Sequence, residues 1–146
     1  MAKAITTKIT ETGKADQLLG QLPAKLRGGV LKKAVRSAGA IVARSARQLC
    51  PVGVEVKKGR RLRDTITTVT RSKGQSVLAV TGPRYGIGLG NHSHLVEFGH
   101  AKVLWGKPTS GFVRAKPFLR PAADQTLSAQ QSEIINKLKA HVPTIK

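Results

Sequence analysis

The sequence predicts an α+β domain in which a small antiparallel sheet packs against a long helix in the N-terminal half and a second helix near the C-terminus. Three observations predict it. Apolar residues recur every three or four positions between about 26 and 49, as they do along one face of a helix. Two β-rich runs separated by a short polar turn occupy 63–83, and a second helical pattern follows Pro121. The 146 residues suit one compact domain, so 1–146 is expected to be a single domain.

The first third of the chain is predicted to hold a short strand and two helices. The opening "AKAITTKITET" is rich in Thr and Ile, which favour strands, and "ADQLLGQL" indicates a short helix. Pro23 stands where the long helix begins, at a position that needs no backbone N–H, and Pro51 ends this helix. Its apolar face consists of Leu26, Val30, Ala34, Ala38, Ile41, Ser45 and Leu49. Five basic residues cover much of the remaining circumference: Lys32, Lys33, Arg36, Arg44 and Arg47.

The rest of the chain is predicted to hold three strands and one helix. A flexible basic loop spans about 51–62, and "RDTITTVTRSKGQSVLAVTGP" then forms a hairpin around "SKGQ". After the glycine-rich "RYGIGLGN", the segment "HSHLVEF" is a candidate third strand. Gly and Pro residues make 99–117 a long loop, and the last helix runs from Pro121 to about Val142. The predicted order of elements is β–α–α–β–β–β–α.

Charge gives the first indication of a partner. Lys and Arg total 26 against 7 Asp and Glu, which gives a net charge of +19. This balance indicates a polyanion nearby, with nucleic acid as the first candidate. A solvated basic surface and contact with acidic neighbouring subunits remain open as alternatives. No apolar run approaches the roughly 20 residues of a membrane helix, and the N-terminus lacks the apolar region of a secretory signal, so no membrane partner is expected.

The residue types that support catalysis or metal binding do not converge on a site. "NHSHLVEFGH" holds three of the four histidines, but on a strand the carboxylate of Glu97 lies on the face opposite His92 and His94. Glu97 is instead expected to pair with a Lys or Arg. Cys50 lies at a helix C-terminus, where the helix dipole disfavours a thiolate. The acidic residues are scattered along the chain, so we expect no catalytic residue, no metal and no cofactor, and the protein is not expected to be an enzyme.

A cluster of basic residues, "KKGRRLR", lies in the predicted loop. Its charges could follow a phosphate backbone without reading base sequence, because neither a regular element nor interleaved aromatic residues accompany them. The equally supported alternative is a solvated loop that becomes ordered only against a neighbouring subunit. The residues concerned are Lys57, Lys58, Arg60, Arg61 and Arg63.

Four stretches occur in a fixed order along the chain: "ARQLCPVG", "GRRLRDTI", "HLVEFGH" and "AKPFLRPAAD". Together they resemble the tail-completion, or head–tail connector (neck), proteins of long-tailed double-stranded DNA phages, over about residues 5–140. Two departures stand out: an extra residue separates Gly59 from Leu62, and His100 replaces the usual Thr. The positions that carry the resemblance are Pro51, Leu62, Val96, Glu97, Phe98, Gly99, Pro117, Phe118, Leu119, Arg120 and Pro121.

The resemblance implies a structural protein of the virion, located in the neck or tail and assembled in the cytoplasm of the host bacterium. Such subunits form a ring at the head–tail junction or the top of the tail, with a hexamer favoured and a dodecamer possible. Neighbouring neck or head-completion proteins, tail-tube proteins and the genomic DNA in the lumen would be its partners. Lys57, Lys58, Arg60 and Arg61 would then face the lumen or the adjoining ring. The alternative, a small basic protein that binds nucleic acid independently of sequence, explains the charge but not the ordered motifs.

Overall fold

A computed structural model of the chain describes residues 13–21, 24–52, 61–73, 76–86 and 88–141. Within these ranges the α+β class is confirmed, but the strands form two separate antiparallel pairs instead of one sheet. The first pair is β1–β2 and the second is β3–β4. The helices are α1 (Gly13–Gly20), α2 (Ala24–Leu49), α3 (Ser93–Phe98), α4 (Leu119–Gln125) and α5 (Leu127–Lys139). The strands are β1 (Ile66–Lys73), β2 (Ser76–Pro83), β3 (His100–Leu104) and β4 (Lys107–Val113).

The long helix α2 is the element on which most others pack, and its predicted extent is confirmed. It contacts β1 and β2 on one side and α4 and α5 on others. Small buried residues on α2 allow these close contacts: Ala34, Ala38, Ala43 and Ala46. At Gly39 the approach is closest, because a Cβ there would lie 2.5 Å from Cγ2 of Thr68. Thr81 completes the contact by donating a hydrogen bond from its hydroxyl to the Gly39 carbonyl, at 3.2 Å.

Two clusters of apolar side chains lie along α2. The larger one surrounds its C-terminal half and includes the fully buried Phe118 and Ile66. The smaller one surrounds its N-terminal half, where Leu138 of α5 packs against Val30 and Ala34. The core therefore consists of two clusters along one helix, built from aliphatic side chains and one buried aromatic ring among the described residues.

The hairpin around "SKGQ" is confirmed. Ile66 pairs with Pro83 and Lys73 with Ser76, so that β1 and β2 are in register along their whole length. Thr68 and Thr81 are opposite each other on the face toward α2, and their hydroxyls are hydrogen-bonded at 2.9 Å. Val69 and Val80 are opposite each other on the outer face.

The strand predicted at "HSHLVEF" is wrong, because this segment is the helix α3. Ser93 and Glu97 are buried one helical turn apart, while His92, just before the helix, and His94, in its first turn, are exposed. A strand would have placed Ser93 and Glu97 on one face with Leu95. The helix ends at Gly99, whose φ of 72° is a conformation that glycine adopts without steric cost.

Two further expectations for the C-terminal third need correction. The segment 99–117, expected to be a loop, contains β3 and β4, which are joined by a two-residue turn at Trp105 and Gly106. The last helix is not continuous from Pro121: α4 begins at Leu119, and Thr126 separates it from α5. The Thr126 hydroxyl donates a hydrogen bond to the carbonyl of Ala122 at 2.6 Å. This side-chain hydrogen bond competes with the backbone hydrogen bonds of a continuous helix.

Some predicted features lie outside the described residues. These are the strand at "AKAITTKITET", most of the basic loop including Lys57, Lys58 and Arg60, and the expected C-terminal limit at Val142. None of the helices in the described part of the chain is both long and apolar enough to span a membrane.

Candidate functional site

Glu97 joins two of the motifs that carry the resemblance, "HLVEFGH" and "AKPFLRPAAD". Its carboxylate is buried at 6% exposure and accepts three backbone hydrogen bonds from the start of α4. Oε2 accepts from the N–H groups of Phe118 at 2.9 Å and Leu119 at 3.2 Å, and Oε1 accepts from that of Arg120 at 3.2 Å. The first N–H groups of a helix have no partner within the helix, and a negative charge is favoured beside them. The expected Lys or Arg partner of Glu97 is therefore replaced by the α4 N-terminus, and neither ion pair of the described residues involves Glu97.

The residues around Glu97 reinforce this junction. Val96 packs against the larger core cluster, and its carbonyl accepts a hydrogen bond from the N–H of Lys116 at 2.8 Å. Phe118 is fully buried beside it, and Leu119 is nearly so. A Cβ at Gly99 would lie 2.6 Å from the carbonyl oxygen of Val113, so only glycine allows the chain to return this closely. The "VEFG" and "PFLR" segments thus form one structural unit, although they are far apart in the sequence.

The remaining motif residues have mixed environments. Leu62 is buried in the larger core cluster, and Pro51 and Pro121 are half-buried near the ends of α2 and the start of α4. Phe98, Pro117 and Arg120 are exposed, so their side chains are available to a partner.

The basic run predicted to meet DNA is described only in part. Arg61 is exposed, and Arg63 is half-buried, with its Nε 3.8 Å from the carboxylate of Asp64. The guanidinium of Arg63 therefore lies near an acid, and both side chains are partly exposed. A role for Lys57, Lys58, Arg60, Arg61 and Arg63 in contacting DNA stays a prediction.

A larger basic surface lies on α2. Five side chains of this helix, all exposed, fall within roughly a third of its circumference at 3.6 residues per turn and extend over about 22 Å. The opposite side carries Ala34 and Ala38 and is buried. Arg47 is oriented by a hydrogen bond from its guanidinium to the carbonyl of Ile66, at 2.6 Å. No acid of the described residues forms an ion pair with any of the five. This basic face of α2 consists of Lys32, Lys33, Arg36, Arg44 and Arg47.

An apolar cavity of about 280 Å³ lies on the outer face of β1–β2. We call it the outer-sheet pocket. Its wall includes Val69, Val80 and Gly82 from the sheet, together with Tyr85 and Phe98. Arg71 and Arg84 also line it. Sequence reasoning did not identify this pocket, because its members come from four separate segments that only the fold brings together.

The side chains considered for catalysis are dispersed. His92 and His94 point into solvent from the start of α3, and Nδ1 of His100 lies 3.4 Å from the carbonyl of Leu95. Among the described residues, no three His, Cys, Asp or Glu lie close enough to hold one metal ion. Burial raises the pKa of the Cys50 thiol to about 11, against a partial opposing effect of Arg63. At neutral pH, Cys50 is therefore a protonated, apolar part of the core.

A protein family matches the part of the chain that contains most of these elements. Residues 16–99, more than half of the chain, match the HK97-gp10-like family, described as "Bacteriophage HK97-gp10, putative tail-component". The matched region contains α2, the β1–β2 hairpin and α3, and it ends at Gly99 beside Glu97. Neither the curated proteins nor the solved structures include a match to this chain. The chain therefore belongs to the HK97-gp10-like family of bacteriophage tail components, which are structural proteins of the virion.

Proposed function

We propose that the protein forms a ring at the head–tail junction or at the top of the tail, where it joins the tail to the DNA-filled head. Membership of a phage tail-component family supports a place in this part of the virion. The observation that carries the proposal is the basic face of α2, five exposed cations on one rigid element without acidic partners among the described residues.

The basic face suits DNA that moves past the protein. Duplex DNA carries about one negative charge per 1.7 Å of its axis, so a cationic ridge about 22 Å long meets several phosphates at once. Contacts to phosphate carry no sequence information and release counterions, so they hold at any register of the genome. Helix α2 is the best-supported element for lining the lumen, because its other side is fixed by the sheet and by α4 and α5.

Identical subunits close into a ring when each contacts the next through the same heterologous interface and the rotation between them closes. In this arrangement each subunit presents one surface to the subunit before it and a different surface to the one after it. A hexamer is the expected closure, and neighbouring neck or head-completion proteins and tail-tube proteins would stack above and below. Assembly would take place in the cytoplasm of the host bacterium. The protein would act by assembly alone, without a catalytic step.

The proposal is tested by sizing the purified chain and by locating it in virions. We expect a closed ring of one defined mass in the absence of DNA, and a label on the C-terminus that appears at the head-proximal end of the tail. A label elsewhere on the particle would overturn the proposal. A strict monomer that binds nucleic acid tightly at low salt would support the alternative of a small basic nucleic-acid-binding protein.

A further inference from the structure

The hairpin of β3 and β4, residues 100–113, is an exposed arm. Within the described structure, the two strands pack chiefly against each other. Four of its large apolar side chains are more than half exposed: Val103 at 59%, Leu104 at 61%, Trp105 at 96% and Phe112 at 62%. An isolated two-stranded hairpin is marginally stable in water, and contiguous exposed apolar surface of this kind marks an interaction site. The arm is therefore a candidate surface for contact with a partner.

Trp105 is the most prominent residue of the arm. It occupies the turn together with Gly106, and both have positive φ, at 50° and 77°. A left-handed conformation is unfavourable for a bulky residue such as Trp, so a smaller residue would be easier to place here. The turn instead presents almost the whole indole ring to solvent.

The outer-sheet pocket has room for an indole ring and is lined by groups that suit one. Its volume of about 280 Å³ lies below the range of roughly 300–1,000 Å³ typical of small-molecule sites. Val69, Val80 and Tyr85 provide an apolar wall. Arg71 and Arg84 add guanidinium groups, which are attracted to the face of an aromatic ring, and most strongly to that of Trp. These guanidinium groups therefore favour an aromatic side chain in the pocket.

The indole of the same chain cannot fill the pocket. Phe98, just before the arm, lines the pocket, and the five residues of β3 then extend the chain by roughly 16 Å. Lys116 and Val96 hold the base of the arm through a backbone hydrogen bond of 2.8 Å. Trp105 is 96% exposed, so no residue of the described part of the chain covers it.

We propose that Trp105 of one copy inserts into the outer-sheet pocket of the next copy. Each copy then donates one arm and accepts one, through two surfaces that do not overlap. Such a heterologous contact propagates and closes into a ring when the rotation between copies allows it. The inference rests on the proposed ring and identifies the residues that hold it together.

Two variants test the contact from its two sides. Trp105→Ala removes the inserted side chain, and Gly82→Ile fills the pocket. The second change is compatible with the fold, because a Cβ at Gly82 meets no atom within 4 Å. Leu127→Ala, which trims an exposed apolar residue on α5, is the control. Circular dichroism and thermal unfolding check that each variant is folded.

The measurements are the mass distribution by mass photometry and the fluorescence of the single tryptophan. In the wild-type protein, we expect the emission of Trp105 to shift to shorter wavelength as concentration rises and rings form. Both test variants should weaken self-association by about 30-fold or more, as for other buried Trp residues at interface centres, and Gly82→Ile should abolish the shift. Leu127→Ala should behave as the wild type does.

Rings that persist in Trp105→Ala or in Gly82→Ile would overturn the contact and leave the proposed ring intact. A wild-type protein that is monomeric at every concentration would overturn the ring, and the contact with it. An emission maximum that stays at its monomer position in a ring of normal mass would also overturn the contact, because the indole would still be in water.

Discussion

Glu97 illustrates how a single side chain fixes the relation between distant segments. It accepts hydrogen bonds from three consecutive backbone N–H groups that begin 21 residues further along the chain. These N–H groups lie at the start of α4, where Phe118 and Leu119 are buried. The carboxylate therefore supplies partners that the helix itself cannot provide.

We predict that Glu97→Ala lowers the free energy of unfolding by about 2–3 kcal/mol, because buried donors lose a charged acceptor. Glu97→Gln should cost less, since its amide oxygen still accepts one or two of the bonds. Asp124→Ala, at an exposed position on α4, is the control and should change stability by less than about 0.5 kcal/mol. Urea denaturation of the three variants measures the differences. Equal stability of Glu97→Ala and Asp124→Ala would contradict the role assigned to Glu97.

Cys50 gives a prediction about pH. Burial raises the pKa of its thiol from 9.0 to about 11 in the folded protein. The unfolded chain therefore loses this proton first as pH rises, and the contribution to stability declines between about pH 9 and 11. Cys50→Ala should show a shallower decline of the unfolding free energy over this window than the wild type. Parallel curves for the two proteins would show that the thiol stays near its ordinary pKa.

At the scale of elements, the close contact of α2 with the first hairpin depends on one glycine. Gly39 is buried against Thr68 and Thr81. A Cβ at Gly28, on the same helix, would have no neighbouring atom within 4 Å. We predict that Gly39→Ala destabilises the fold by about 1–3 kcal/mol through overpacking. Gly28→Ala is the matched control and should stabilise it by about 0.5–1 kcal/mol through helix propensity. Thermal unfolding measures both, and a stabilising Gly39→Ala would contradict the packing of α2 on β1–β2.

The basic face of α2 gives a second prediction at this scale. Lys33→Glu with Arg36→Glu should weaken binding to duplex DNA and lower the slope of log affinity against log salt by about 2. Lys14→Glu with Lys139→Glu makes the same change of net charge on α1 and α5, at exposed positions, and should leave the slope nearly unchanged. Fluorescence anisotropy over a salt series measures both slopes. Equal losses in the two double variants would indicate an effect of net charge alone.

The sequence was sufficient to predict elements whose apolar residues recur at a regular spacing. Helix α2 and the β1–β2 hairpin were predicted because their apolar faces recur within one short segment. Helix α3 was mistaken for a strand because its buried face is determined by Glu97 and the distant α4. The arm was mistaken for a loop because β3 and β4 are exposed on both faces and show no alternation.

The candidate surfaces were accessible to sequence reasoning to different degrees. The basic residues of α2 could be placed on its circumference from helical spacing alone. The outer-sheet pocket could not, because Val69, Arg84 and Phe98 meet only through the tertiary fold. The sequence around Trp105 has no periodic pattern, and the exposure of this residue follows from its position in a turn.

At the scale of the whole molecule, the two proposed contacts should differ in their response to salt. DNA binding weakens as salt rises, because each released counterion gains less entropy when the bulk salt concentration is higher. Contact between copies is apolar, and each copy has a net charge of +19, so screening of like charges should leave association unchanged or strengthen it. Analytical ultracentrifugation at low and high salt measures this. Rings that dissociate steeply on adding salt would contradict an apolar contact.

We propose that copies of this chain form a ring whose lumen is lined by the basic face of α2. Electron cryomicroscopy of the head–tail junction in intact particles tests it most directly. We expect a ring at that level with Lys33, Arg36 and Arg44 directed toward the central DNA. A ring with these side chains on its outer rim, or a junction that lacks this chain, would contradict it.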